Sequence, residues 1–275
     1  MTDPPVWLNG TLLPQSAARL DPLAQGVLYG LGVYDALFLH RGVPIAIEQH
    51  ASRLIDGADR LGLRCPDIST LTEAIVVVSK AYPLTEARIR ITLTAGAWQG
   101  PVPPPHASQA CLITAQPITP AKPQAAILTS QWRRNERGPL AGIKFTACAE
   151  NILAQRAALA AGADEALFLN TQDRLCEGAF SNIFHVRNGT VLTPPLSAGC
   201  LPGVTREIIL SLCRENNIPA REEELFPYFV PDEVFLTSSI RGIQPVSRWD
   251  DHSFPAPGEI TARLMVHYAA WLEKA

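Results

Sequence analysis

The 275-residue sequence lacks the patterns that point directly to several classes of protein. Its six cysteines form no C-x-x-C pair, which argues against a zinc site. It has no excess of basic charge, because 23 Lys and Arg stand against 26 Asp and Glu, so a nucleic-acid backbone is not an expected partner. No apolar run approaches the roughly 20 residues of a membrane helix, and the first residues lack a signal-peptide pattern. We therefore expect a cytoplasmic protein that binds neither nucleic acid nor membrane.

Common catalytic motifs are also missing. The sequence contains no H-E-x-x-H, P-loop or G-x-S-x-G pattern. Gly30-Leu31-Gly32 lacks the third glycine of a dinucleotide-binding fingerprint and precedes a predicted strand, which excludes that interpretation. The composition, 47% hydrophobic and 18% charged, is that of a globular protein with a sizeable core.

Hydrophobic periodicity and turn residues predict an α+β fold. Hairpins are expected around Asn9-Gly10 and Asn188-Gly189, and apolar residues recur at helical spacing between residues 47 and 61. The elements do not alternate regularly between strand and helix, as they would in a doubly wound sheet. Further helices are predicted from a capping box at Thr70, and over 146–161, 203–217 and 259–273; strands are predicted over 33–40, 43–47, 89–94, 110–115, 165–170, 183–186, 190–193 and 233–237.

A proline-rich stretch divides the chain. Pro117, Pro120 and Pro123 cannot lie together in a helix or a central strand, so residues 118–123 are predicted to link two domains. The predicted domains are a small N-terminal α/β domain over 1–117 and a larger C-terminal domain over 124–275.

Three segments carry candidate chemistry. Lys144 follows small apolar residues and is predicted to open a helix, where the helix dipole and the apolar surroundings would lower its pKa and favour a neutral, nucleophilic amine. Glu177 lies between a strand-like segment and small residues, and a carboxylate there could face a protonated pyridine nitrogen. Gly203-Val204-Thr205 begins an amphipathic helix whose N-terminal amides suit a phosphate.

Two further positions could assist in binding an anion. The hydroxyl cluster Thr237-Ser238-Ser239 ends a predicted strand, and Arg53 borders the apolar stripe of the first long helix. Each of these features, taken alone, is also typical of an ordinary solvated turn, helix start or surface charge.

Together these segments resemble the class IV (fold type IV) pyridoxal phosphate enzymes, the family of branched-chain and D-amino acid aminotransferases and aminodeoxychorismate lyase. The resemblance extends over most of the chain in the family's order. It is carried by residues 29–34, 48–54, 142–144, 163–167, 177–184, 201–206 and 235–239.

The resemblance implies pyridoxal 5'-phosphate as the cofactor, held in a cleft between the two domains, and a homodimer as the usual assembly. It implies that Lys144 is the Schiff-base lysine and proton shuttle, and that Glu177 is the partner of the pyridine nitrogen. The other residues that it implies are, for the phosphate, Arg53, Val204, Thr205 and Ser239; for the ring, Leu201; and for the substrate side, Tyr34.

Two departures from the family pattern bear on the substrate. Leu31 replaces the usual aspartate of a Gly-Asp-Gly segment, at a position that does not touch the cofactor. The loop after Thr94 lacks the arginine that some members use for the substrate carboxylate. Arg90, Arg133 or Arg241 could replace it, and spacing does not choose among them; Arg241 is retained as the substrate-binding candidate.

The reaction is therefore left with two interpretations. The Arg134-Asn135 element and the segment 238–246 look more like the lyase that releases 4-aminobenzoate and pyruvate from 4-amino-4-deoxychorismate, and this is the preferred expectation. The alternative is an amino acid aminotransferase of the D-amino acid or branched-chain type with a keto-acid acceptor, which the Glu177-Gly178 pair and residues 201–206 fit equally well.

Overall fold

The computed structural model describes residues 3–100, 104 and 107–275. The chain folds into two compact units. Unit 1 comprises residues 1–119 together with 143–147, and unit 2 comprises 120–142 and 148–275. The predicted boundaries thus differ from the compact units in one respect that matters here: Lys144, expected in the C-terminal domain, belongs to unit 1.

Unit 1 is an antiparallel sheet covered by helices. Its described strands run in the order β2-β1-β6-β5-β3-β4, and every one of these pairs is antiparallel. The elements are β1 (Pro5–Leu8), β2 (Thr11–Pro14), α1 (Gln25–Leu28), β3 (Gly32–His40), β4 (Val43–Pro44), α2 (Ile47–Arg60), α3 (Ile68–Ala81), β5 (Ala87–Ala95) and β6 (Gln109–Gln116).

Strict alternation along β3 and β5 gives this sheet one buried and one half-exposed face. Leu37, Ile89 and Ile91 point to the buried face, where they pack with Leu54 of α2 and Ile75 of α3. The half-exposed face carries Tyr34, Arg88, Arg90 and Thr92 instead. Along β3 and β5, the polar side chains other than Asp35 therefore lie on one side of the sheet.

Unit 2 is built on a mixed sheet. Its described strands run β12-β11-β10-β13-β14-β7-β8-β9, and β15 pairs with β14. The elements are β7 (Ala125–Arg134), α4 (Ala149–Ala160), β8 (Glu165–Asn170), β9 (Leu175–Gly178), β10 (Asn182–Arg187), β11 (Thr190–Thr193), α5 (Val204–Glu215), β12 (Ala220–Glu222), β13 (Glu233–Ser238), β14 (Gly242–Trp249), β15 (His252–Ser253) and α6 (Glu259–Leu272).

Strands β8, β10, β11, β13 and β14 of unit 2 are buried along most of their length, because helices and other strands pack on them. Phe184 and Phe235 stack with ring centroids 4.9 Å apart, and α5 and α6 cover them with Ile209 and Leu264. Helix α4 contributes Ala154 to a separate cluster. Across the described residues, no helix is both long and apolar enough to cross a membrane.

The α+β prediction is confirmed, as are both hairpins: Asn9-Gly10 and Asn188-Gly189 adopt the positive φ values of a type I′ turn. Several predicted element boundaries differ from those of the structure, and three of them have a clear local cause. Strand β4 ends at Pro44 because Ala46 enters the left-handed region before α2. Helix α3 begins earlier than the Thr70 capping box, since Asp67 caps it by accepting from the Thr70 amide. Helix α4 begins at Ala149, not 146.

Candidate active site

Lys144 does not open a helix, which corrects the sequence-based prediction. It lies five residues before α4, in an extended segment of unit 1 that runs antiparallel to the start of β3. The Tyr34 amide donates to the Lys144 carbonyl at 2.9 Å, and the Thr146 amide donates to the Gly32 carbonyl at 2.9 Å. The helix dipole therefore has no role at this lysine, and the local feature that positions it is backbone pairing with β3.

The packing beneath this segment depends on a glycine. Gly57 of α2 faces the sheet, and a Cβ placed there would lie 3.3 Å from Val33 and 3.4 Å from Ile143. A side chain at residue 57 would press on both the strand and the residue that precedes Lys144. Close approach of α2 therefore holds the lysine segment against β3.

The Lys144 side chain shares an aromatic neighbour with Arg90. The Lys144 Nζ lies 4.8 Å from the centroid of the Tyr34 ring, and the Arg90 guanidinium carbon lies 3.8 Å from it. Both distances are within the range of cation–π attraction. In the β3–β5 ladder, Tyr34 pairs with Thr92 and Ala36 with Arg90, which places both side chains on the half-exposed face. An amine and a guanidinium around one ring suit a substrate that carries a carboxylate.

Arg53 projects from α2 towards a buried carboxylate of β3. Its Nε and Nη2 donate to the two carboxylate oxygens of Asp35 at 2.9 and 2.8 Å, and His50 Nδ1 lies 2.7 Å from Asp35 Oδ1. Burial would by itself raise the pKa of Asp35, but the Arg53 guanidinium and the His50 imidazole hold it well below its usual range. Asp35 is therefore ionised at neutral pH.

In unit 2, Glu177 of β9 is hydrogen-bonded to Leu201. The sequence had predicted that these two residues contribute to one site. The Leu201 amide donates to Glu177 Oε2 at 2.8 Å, and Asn182 donates to the Leu201 carbonyl at 2.9 Å. Arg134, at the end of β7, places its Nε 3.5 Å from Glu177 Oε1. The Glu177 side chain is 13% exposed, so it is mostly buried and still reaches the surface of unit 2.

The helix start predicted at residues 203–205 is present. Gly203 is the N-cap of α5, and no side chain caps this end of the helix. A Cβ at Gly203 would lie 1.9 Å from Asn182 Oδ1, so only glycine allows β10 and α5 to approach in this way. Thr205 is buried at 3% exposure and hydrogen-bonds to Tyr268, whose pKa burial raises to about 12.

Ser239 and Arg241 lie in the turn from β13 to β14. Arg241 Nη2 forms an ion pair with Glu165 Oε2 at 2.6 Å, and its Nη1 donates to Gln244 at 2.8 Å. Glu165 is 2% exposed and also accepts from Ser181. The guanidinium of Arg241 is thus paired with Glu165 of unit 2, whereas that of Arg90 lies over the Tyr34 ring.

Comparison with known proteins decides the family. Residues 32–249 match the family model "Amino-transferase class IV". The chain belongs to the class IV aminotransferases. A relative from Methanocaldococcus jannaschii, provisionally named a branched-chain amino acid aminotransferase, is 30% identical over 94% of this chain and 93% of its own length.

Solved structures agree on the fold of this class IV aminotransferase. The branched-chain aminotransferase of Thermoproteus uzoniensis, solved with norvaline, aligns with a TM-score of 0.91 and 28% identity over 97% of this chain and 93% of its own. A Legionella pneumophila protein, provisionally named 4-amino-4-deoxychorismate lyase, aligns with a TM-score of 0.85 over 94% of this chain and 96% of its own, but at 24% identity it shows the fold alone. Class IV aminotransferases use pyridoxal 5'-phosphate, so this chain is a pyridoxal phosphate-dependent enzyme.

The polar groups of unit 2 fit this cofactor. Thr237 Oγ1 is buried and has no hydrogen-bond partner among the residues that the structure describes, which is unusual for a buried hydroxyl. Helix α5 begins without a side-chain cap, and an uncapped helix start suits a phosphate. The fit within unit 2 therefore rests on the buried Thr237 hydroxyl and the uncapped start of α5.

Sequence reasoning missed Asp35, His50 and Glu165 as members of these networks. Asp35 had a readable signal, because it interrupts the apolar alternation of Val33, Leu37 and Leu39 on the inward face of β3. A carboxylate at such a position requires buried partners. Glu165 offered no comparable signal, since its strand, β8, is buried on both faces.

Proposed function

We propose that this chain is an amino acid aminotransferase of the branched-chain type, with pyridoxal 5'-phosphate as cofactor and a keto acid as amino-group acceptor. The observation that carries the proposal is the placement of Lys144 and Arg90 around the Tyr34 ring, an amine for proton transfer beside a guanidinium for a carboxylate. The full-length similarity to a protein named for this activity supports the aminotransferase over the lyase, which the sequence alone had favoured.

In this proposal, the residues that the family resemblance implies bind the cofactor. When bound, pyridoxal phosphate withdraws electrons from the substrate Cα and makes its proton labile. Lys144 would hold the cofactor covalently at rest, and its amine, released when the substrate amino group takes its place, would move that proton through its Nζ. The Glu177 carboxylate would hold a proton on the ring nitrogen, and the Leu201 amide, which donates to it at 2.8 Å, orients this carboxylate. The groups proposed to hold the phosphate are Arg53, Val204, Thr205 and Ser239.

The substrate groups follow from the half-exposed face of the unit 1 sheet. Arg90 Nε donates to Thr92 at 3.1 Å, which holds the guanidinium over Tyr34 as a binding group for the carboxylate shared by amino acid and keto acid. Arg241 was the sequence-based candidate for this role. Its ion pair with the buried Glu165 would have to break first, and that favours Arg90.

We also propose that the enzyme acts as a homodimer. Unit 1 exposes large apolar side chains on and around α1, including Leu23 (65% exposed), Val27 (58%) and Tyr29 (74%). Clustered exposure of this kind is typical of a surface that meets another protein, and a second copy of the chain is the partner that the family resemblance implies.

Three parallel assays test the function. L-leucine, L-isoleucine or L-valine with 2-oxoglutarate should yield glutamate, D-alanine with 2-oxoglutarate should give far less, and aminodeoxychorismate without an acceptor should give no pyruvate. Release of pyruvate and 4-aminobenzoate in the third assay, with no transfer in the first, would restore the lyase. Arg90→Gln should raise the KM for both the amino acid and 2-oxoglutarate, whereas Arg133→Gln, an exposed arginine paired with Asp173, serves as the matched control.

A further inference from the structure

Asp35 is a carboxylate placed where a hydrophobic residue would normally stand. It occupies an inward position of β3 and is 0% exposed, between the buried Val33 and Leu37. An unpaired carboxylate there would cost several kcal/mol. The chain supplies partners from α2, where His50 and Arg53 are three residues apart and share a helix face.

The hydrogen bonds of Asp35 are directed mainly at one arginine. Two parallel bonds, from Arg53 Nε at 2.9 Å and Nη2 at 2.8 Å, fix both the position and the plane of the guanidinium. His50 at 2.7 Å and the Ala36 amide at 2.7 Å both contact Oδ1, so the carboxylate itself cannot rotate away. Each partner restricts Asp35, and Asp35 in turn restricts Arg53.

Burial decreases from the carboxylate to the arginine. The side chain of Asp35 is 0% exposed and that of His50 is 2% exposed, while that of Arg53 is 11% exposed. Arg53 therefore lies between a rigid, fully buried anchor and the surface of unit 1. A long side chain held in this way loses little further rotamer freedom when it binds a ligand.

We propose that Asp35, braced by His50, is a positioning residue for the cofactor phosphate and acts through Arg53. This inference rests on the proposed function, in which Arg53 binds the phosphate. The negative charge of Asp35 lowers the net attraction of the Arg53 region for a phosphate dianion. The rigid geometry of the Asp35–Arg53 pair, in contrast, raises the affinity for the phosphate. We expect the geometry to dominate, because the anchor removes the rotamer entropy that a free arginine would lose on binding.

The test compares the cofactor with its dephosphorylated analogue. Apoprotein is titrated with pyridoxal phosphate and, separately, with pyridoxal, and both dissociation constants are measured by absorbance. Asp35→Asn should raise the constant for pyridoxal phosphate by roughly 10- to 30-fold and change that for pyridoxal by less than about threefold. Asp56→Asn, which removes an exposed carboxylate from α2, the helix that carries Arg53, should change neither.

A double-mutant cycle separates positioning from general destabilisation. In an Arg53→Ala background, Asp35→Asn should produce no further loss of pyridoxal phosphate affinity, because the effect passes through the missing guanidinium. Should Asp35→Asn fail to fold, His50→Gln takes its place, since it removes one brace and keeps both Asp35–Arg53 bonds; it should weaken pyridoxal phosphate binding by a smaller factor and leave pyridoxal binding unchanged.

The inference would be overturned by equal losses for the two ligands, by tighter binding of pyridoxal phosphate to Asp35→Asn, or by additive effects in the cycle. If the wild-type protein binds neither ligand, the proposed function itself fails. Wild-type binding together with an unaffected Asp35→Asn variant rejects the positioning role alone.

Discussion

Each unit brings an arginine close to a carboxylate, and the two pairs differ in geometry. In unit 1, Arg53 and Asp35 share two hydrogen bonds of 2.8 and 2.9 Å. In unit 2, the Arg134 Nε lies 3.5 Å from Glu177 Oε1, and Arg134 donates instead to Asn151 at 3.0 Å. The first pair is a fixed bidentate contact, and the second is an ion pair without a close hydrogen bond.

This difference indicates which member of each pair has a role towards a ligand. Asp35 is fully buried and directs its charge to Arg53, so the arginine is the group presented outward. Glu177 is more exposed than Asp35 and accepts a hydrogen bond from the Leu201 amide, so here the carboxylate is the group proposed to face a ligand, with the arginine beside it. We therefore propose that the arginine–carboxylate pair of unit 1 presents its arginine to a ligand, whereas that of unit 2 presents its carboxylate.

The largest expected effect comes from neutralising the unit 2 carboxylate. Glu177→Gln preserves shape and the bond from the Leu201 amide, but it cannot hold a proton on the ring nitrogen. We expect turnover to fall by about 10²- to 10⁴-fold, while the dissociation constant for pyridoxal phosphate changes by less than about tenfold. Single-turnover absorbance kinetics and cofactor titration measure the two quantities.

Asp35→Asn should show the opposite pattern, in which affinity falls and the rate of the fully loaded enzyme is nearly normal. The comparison breaks down if Glu177→Gln loses the cofactor and keeps its rate. It also breaks down if both variants lose affinity and rate to the same degree.

A smaller effect concerns the free energy of unfolding at acidic pH, to which a histidine of unit 2 and a carboxylate of unit 1 contribute differently. Burial lowers the pKa of His185, in unit 2, to about 3, so the native state keeps it neutral while the unfolded chain binds a proton below pH 6.5. Its contribution to stability is therefore present above pH 6.5 and is lost as the pH falls towards 3. We expect the free energy of unfolding to drop by roughly 2 kcal/mol between pH 6.5 and 5, and His185→Gln should remove most of that slope in denaturant titrations.

Asp35 provides the matched contrast from unit 1. Its pKa is lowered from 3.8, so its contribution is complete above that value and declines only at lower pH. Asp35→Asn should consequently keep the wild-type slope between pH 6.5 and 5. An unchanged slope in His185→Gln, or a lost slope in Asp35→Asn, would contradict this assignment.

Local patterns predicted the elements well where a turn or helix face is self-contained. The Asn-Gly hairpins and the apolar face of α2 depend on neighbours in sequence. Strands β7 and β14 were not predicted, since they pair in parallel across more than a hundred residues with a register shift. Lys144 was predicted to open a helix, whereas its segment pairs with β3 through backbone hydrogen bonds, a tertiary contact that the local pattern does not show.

The candidate site was predictable as a set of residues and not as a set of contacts. Lys144, Glu177 and the start of α5 could be found from order and residue type. Their partners could not be predicted from the sequence, because they depend on which strands become neighbours. This holds for Arg134 beside Glu177 and for the ion pair of Arg241 with Glu165. The substrate-binding arginine was for this reason left open among three candidates, and the proposal of Arg90 rests on its place beside Tyr34 in the β3–β5 ladder.

The central claim is that Lys144 carries the cofactor, and one measurement tests it directly. The purified protein is saturated with pyridoxal phosphate, reduced with borohydride, digested and analysed by peptide mass spectrometry. The chain contains only Lys80, Lys122, Lys144 and Lys274, so the phosphopyridoxyl group can be assigned to one peptide. We expect near-complete labelling of Lys144 in the wild-type protein and no labelled peptide in a Lys144→Ala variant. Labelling of another lysine, or an unlabelled wild-type protein, would contradict it.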